Sequence, residues 1–128
     1  MNSIVLLAVC LLIVTNYMAN GVTAPELKNL WDDSLQKCNI ASSAVDKSFE
    51  TGSMDPSLVK GIACLYKNLG VLTADNEFNK ELFKAHLSLF VDDADQIEEI
   101  ADACLIKKAT PEESGMELFK CSTKKMKH

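Results

Sequence analysis

Cys38, Cys64, Cys104 and Cys121 constrain this chain more than any other feature of its sequence. A fifth cysteine, Cys10, lies inside residues 4–14, an unbroken apolar run of eleven residues. That run is too short to cross a bilayer, which takes roughly 20 apolar residues. It suits the central region of a secretory signal. Small-x-small cleavage patterns occur at Ala19-Asn20-Gly21 and Val22-Thr23-Ala24. The second would leave Pro25 just after the cut, so a signal peptide over residues 1–21 is expected, with export of residues 22–128. Those residues make one domain. An even number of cysteines in a small exported domain reads as a disulfide framework, with three possible connectivities. No pair has CxxC spacing and the chain has only 2 His, so neither a bound metal nor thioredoxin chemistry is expected.

Cross-links of this kind matter most where the elements are short, and here they are helical throughout. Leu27, Leu30, Trp31, Ser34, Leu35 and Cys38 recur at helical spacing behind Pro25, a residue favoured at the first helical position. Ser43-Ala44-Val45-Asp46 resembles a capping box and starts a short helix to about Glu50, ended by Gly52. Asp55-Pro56 opens a third helix, with Leu58, Val59, Ile62, Leu65, Tyr66 and Leu69 on one side and Gly70 as its left-handed stop. Val71 to Asn79 reads as a turn. Leu82, Phe83, His86, Leu87, Leu89 and Phe90 share the face of a fourth helix. A fifth helix starts at Asp92-Asp93 and turns Ala94, Ile97, Ile100, Ala101, Cys104 and Leu105 inward. Thr110-Pro111-Glu112-Glu113 is a full capping box before a sixth helix carrying Met116, Leu118, Phe119 and Ser122. No segment alternates with a period of two, so the expected fold is all-α, a compact bundle of about six short helices.

Charge narrows the partners. All 13 basic residues are Lys. Residues 22–106 hold 7 Lys against 15 acids, and residues 107–128 hold 6 Lys against 3. An acidic body without Arg does not suit nucleic acid. The lysines at the end of the chain suit the last turn of a helix, where the macrodipole favours cations. No later segment is apolar enough for a membrane span. No GxSxG, HExxH, P-loop or dinucleotide motif occurs, so neither an enzyme nor a cofactor is expected. Asp75-Asn76-Glu77-Phe78-Asn79 starts like a calcium loop but lacks its Gly and terminal Glu, and reads as a polar turn.

The cysteines and their flanks resemble the insect odorant-binding protein (PBP/GOBP) family. The segment Cys64-Leu-Tyr-Lys-Asn-Leu-Gly-Val-Leu-Thr-Ala-Asp-Asn-Glu-Phe78 is similar to the run that begins at the family's third cysteine. Cys38, Cys104 and Cys121 stand where the first, fourth and sixth do. Lys60 and Glu112 occupy the positions of the second and fifth, a pair missing together in the four-cysteine "minus-C" subgroup. Asn76 replaces a family Gly, and Asn tolerates a positive φ better than most residues. The resemblance implies the pairing Cys38–Cys64 and Cys104–Cys121. It also implies a helical capsule around an apolar cavity, in a secreted carrier of odorants, pheromones or other small hydrophobic semiochemicals. The interior-facing candidates for binding are Leu58, Ile62, Tyr66, Leu82, His86, Phe90, Ile97, Ile100, Met116 and Phe119. Tyr66 and His86 are the two polar members, suited to orient a ligand oxygen. A small hydrophobic ligand is the expected partner, with a chemoreceptor or a homodimer as further candidates. The alternative is a secreted helical signalling or venom-type interaction protein, whose core would be filled.

Overall fold

The computed structural model describes residues 24–126. The signal segment expected over residues 1–21 lies outside them. Among the described residues six α-helices follow one another: α1 (Ala24–Lys37), α2 (Ser42–Thr51), α3 (Ile62–Asn68), α4 (Lys80–Leu87), α5 (Ala94–Cys104) and α6 (Pro111–Met126), with a 3₁₀ turn at Pro56–Leu58. The fold is all-α, and no strand forms among the described residues. Cys38 is bonded to Cys64 and Cys104 to Cys121. The first bridge ties the end of α1 to the outward side of α3, and the second ties α5 to α6.

Most helix starts follow the capping chemistry of their sequences. The Asp55, Asp93 and Thr110 side chains accept hydrogen bonds from the backbone N–H groups of Ser57, Asp95 and Glu113. At the end of α3, the Gly70 N–H donates to the Lys67 carbonyl and the Val71 N–H to the Tyr66 carbonyl, the double bond pattern of a Schellman stop. The start of α2 differs from expectation. It begins at Ser42 behind Ala41, and no side chain caps it.

The expected third helix is interrupted. Gly61 packs so tightly that a Cβ there would lie 2.8 Å from Ile40 Cγ1 and 3.1 Å from the Cys38 carbonyl oxygen. The chain bends between Leu58 and Ile62, and Val59 turns out to solvent, 46% exposed. Leu30, expected inside, is 39% exposed on the outer side of α1. The fourth helix stops at Leu87, and residues 88–90 continue as a turn. The expected turn between Val71 and Asn79 closes through a two-residue bridge, Leu72 opposite Phe78, and buries Val71 and Leu72.

α6 lies against α2, α3 and α5 and organises the core. It approaches α3 where Gly115 meets Ala63; a Cβ on residue 115 would lie 3.2 Å from the Ala63 Cα. Asn76 takes φ +64°, as its place in the turn requires. Its side chain also joins the loop to α6. Asn76 Nδ2 donates to the Lys108 carbonyl at 2.7 Å, and Asn76 Oδ1 accepts from the buried Ser114 hydroxyl at 2.7 Å. Ser114 Oγ in turn accepts from the Lys108 N–H at 2.8 Å.

Candidate functional site

Residues from five helices, and from the segments that follow two of them, meet at one place in the bundle. α4 turns Phe83, His86 and Leu87 inward at spacings of three and four. α1 supplies Trp31 and α2 Phe49. The end of α3 and the segment after it supply Tyr66, Leu69 and Val71, and Phe90 follows α4. α6 adds Phe119, Ser122 and Met126, again on one helical face. These residues line a partly open space of about 30 Å³. A site for one water needs about 10–15 Å³, whereas drug-sized ligands occupy pockets of roughly 300–1,000 Å³. The space is therefore much smaller than the cavity that the sequence led one to expect. Phe49, Phe90 and Met126 are its partly exposed walls, so it comes nearest to solvent there.

The walls are ordered by ring contacts. Phe90 stands edge-on to Trp31, with centroids 5.0 Å apart, and edge-on to Phe49 at 4.8 Å. Phe49 stacks on Phe119 at 5.8 Å. Edge-to-face packing sets the positive rim of one ring against the negative face of the next and adds about 0.5–1.5 kcal/mol per pair to area burial. His86 lies 6.5 Å from Trp31.

His86 is the exception in this wall. It is 3% exposed, yet neither ring nitrogen has a hydrogen-bond partner. Burial pushes its pKa below the ordinary 6.5, because the charged ring would lose its hydration. The Leu69 carbonyl pulls weakly the other way, without the geometry of a hydrogen bond. Burial likewise pushes the Tyr66 hydroxyl up, so it stays protonated. Ser122 Oγ donates to the Leu118 carbonyl at 2.6 Å, which leaves only lone pairs for any other contact. No Lys, Asp or Glu lines the space.

Of the ten candidates expected from sequence, Tyr66, His86, Phe90 and Phe119 meet at this space. Leu58, Ile62 and Ile100 are buried in the surrounding core, and Ile100 also lines a separate groove between α5 and α6. Leu82, Ile97 and Met116 are half-buried and pack against the core from outside. The remaining wall residues, Trp31, Phe49, Leu69, Val71, Phe83, Leu87, Ser122 and Met126, were not among the candidates. Trp31, Leu69, Phe83, Leu87 and Ser122 stood in recognised stripes, but a stripe does not say which other stripe it faces. Larger grooves of about 470 and 520 Å³ lie on the surface, lined by Glu99, Lys124 and Lys125 or by Glu117, Lys120 and Lys124. Their charged walls would have to lose water around an apolar ligand, which is costly.

The sequence model of the PBP/GOBP family matches residues 22–125. The chain belongs to the PBP/GOBP family. Two beetle proteins support the assignment. The chain is 31% identical to the B2 protein of Tenebrio molitor over 86 residues, covering 66% of this chain and 67% of that one. It is 30% identical to the B1 protein of the same organism over 70 residues, about half of each chain. No solved structure matches at comparable significance. Members of the PBP/GOBP family are small binding proteins. The two disulfides and the helical order fit that family, and no described helix is long and apolar enough to cross a membrane.

Proposed function

We propose that this protein is a secreted carrier of small hydrophobic molecules such as odorants, pheromones or other semiochemicals, of the four-cysteine kind within its family. The ligand sits among Trp31, Phe49, Tyr66, His86, Phe90 and Phe119. The observation that carries this reading is the convergence of an aromatic wall on one unsatisfied polar side chain, in a chain of a ligand-binding family. A space of about 30 Å³ does not admit such a ligand without movement. Loading therefore requires side chains to swing, and the partly exposed Phe49, Phe90 and Met126 have solvent to swing towards. Met suits this role, since its unbranched side chain adapts to different shapes.

The near-filled interior also supports a second reading, an interaction protein with a packed core. One titration separates the two. An apolar fluorescent probe should bind the correctly bridged protein at micromolar strength, about −8 kcal/mol. Medium-chain alcohols, esters or terpenoids should displace it. Burying roughly 300 Å² of apolar ligand surface gives a similar figure at about 25 cal/mol per Å² before association costs. Absence of saturable binding by any apolar probe would favour the interaction protein.

A further inference from the structure

The chemistry left open at the interior wall is specific enough to select among small hydrophobic ligands. A neutral imidazole carries one N–H donor and one bare nitrogen acceptor. In His86 both are buried and, beyond the pull of the Leu69 carbonyl, neither is paired within the protein. They are the fully enclosed side-chain nitrogens among the described residues that lack a hydrogen-bond partner. Leaving such groups unpaired is costly, so a ligand that pairs one recovers part of that cost.

The rest of the wall restricts what that ligand can be. A carboxylate would find no Lys lining the space, and an ammonium would find no Asp or Glu. Either ion would be stripped of water without compensation. A pure hydrocarbon would cover the His86 nitrogens and leave them unpaired. A carbonyl can only accept, so it can pair the ring only at the nitrogen that carries the proton. A hydroxyl can donate to one nitrogen or accept from the other, whichever tautomer is present. It can also donate to Ser122 Oγ, whose own proton is committed to Leu118.

From these constraints we infer that the preferred ligand is a neutral, mostly hydrocarbon molecule bearing one hydroxyl group, an alcohol or phenol, and that His86 holds that hydroxyl. This rests on the carrier reading above and adds the ligand's functional group and its contact.

The test uses three ligands of one skeleton, 2-phenylethanol, ethylbenzene and phenylacetate, titrated at pH 8 into the bridged wild type and into His86→Phe. The alcohol and the hydrocarbon differ in hydration, so the quantity that matters is the change in their affinity ratio between the two proteins, as in a double-mutant cycle. His86→Phe should move that ratio about tenfold against 2-phenylethanol, equivalent to about 1.4 kcal/mol. Ethylbenzene should bind both proteins with similar strength, and phenylacetate should bind the wild type most weakly. A ratio unchanged within about twofold overturns the inference, as does phenylacetate binding the wild type best. In both cases ethylbenzene still binds and the carrier reading stands. If no ligand binds the wild type saturably, the carrier reading falls and takes this inference with it. A readout on the wild type alone covers a variant that fails to fold. The nitrogen-15 shifts of the His86 ring should move with 2-phenylethanol and not with ethylbenzene, and unmoved shifts with the alcohol overturn the assignment.

Discussion

At the start of α6 the buried polar groups are all spoken for. Ser114 bonds Asn76 and the Lys108 N–H, Asn76 also bonds the Lys108 carbonyl, and Thr110 caps the helix. At the other end, Phe119, Ser122 and Met126 face aromatic rings and a histidine with two unused nitrogens. The same helix is thus held by directional bonds in one half and by dispersion around an unpaired polar group in the other. Directional bonds have a single good geometry. Dispersion contacts can be exchanged for others of similar worth. The interior can therefore rearrange around Phe119, Ser122 and Met126, and the network around Asn76 keeps the remainder in register.

The bond between Cys104 and Cys121 divides these halves, and removing it gives the largest expected change. Cys104→Ala with Cys121→Ala should cost about 3 kcal/mol by the chain-entropy model for a loop of this length. The midpoint of urea unfolding measures it. A loss below about 1 kcal/mol would mean that noncovalent packing alone holds α5 to α6.

Next comes the satisfied half. Asn76→Gly keeps the left-handed turn free of strain but leaves the Ser114 hydroxyl and the Lys108 carbonyl without Asn76. It should cost about 1–2 kcal/mol. Asn76→Ala should cost more, because Ala at φ +64° adds backbone strain of about 1 kcal/mol or more. Equal stability of both variants with wild type, again from urea unfolding, would remove the contrast between the halves.

The unsatisfied half should respond in the opposite sense. His86→Phe removes two unpaired nitrogens, and the neighbouring space takes up the slightly larger ring. A gain of up to about 1 kcal/mol in unfolding free energy is expected, as where binding and stability compete. A loss of stability would show that His86 is well accommodated as it stands.

The smallest effect is in pH. The His86 pKa is lower folded than its ordinary 6.5, so below that value the unfolded chain takes up the proton first. Its contribution should be fully present above about 6.5 and decline as pH falls towards the lowered folded value. Glu98 acts elsewhere on the scale. Hydrogen bonds from Lys84 and Lys80 hold its carboxyl below the usual 4.5, so the stability it adds is lost only in stronger acid. Thermal melts between pH 7.5 and 5 should therefore fall for wild type and flatten in His86→Phe. Parallel curves would assign the slope to another group.

Much of this contrast was legible in the sequence, and the rest was hidden for identifiable reasons. Capping residues are local, so Asp55, Asp93 and Thr110 announced their helices. The cysteine spacing carried its family with it. The break before Ile62 was not legible, and neither was the packing of Gly61 beside it against Ile40 and Cys38, residues more than twenty positions away. Ile62 and Ile100 have the right periodicity for a wall, but Ile62 is buried in the core and Ile100 lines a different groove. Phe49 and Val71 form walls from a short helix and an expected turn, where no stripe drew attention to them. The Asn76 network also escaped notice. Tolerance of a positive φ was readable from residue type, whereas bonds to Lys108 and Ser114 needed the tertiary fold.

Trp31 is the one tryptophan in the sequence, and it stands in the rearrangeable half against Phe90 and His86. Indole emission responds to nearby rings, to protonated imidazole and to water, and Tyr66 is not excited at the red edge of the indole band. The protein thus carries its own optical label where occupancy would change its surroundings. Illuminated at that edge, the whole molecule reports through a single residue, so entry of a guest can be followed as a colour shift or a change in brightness without attaching a dye.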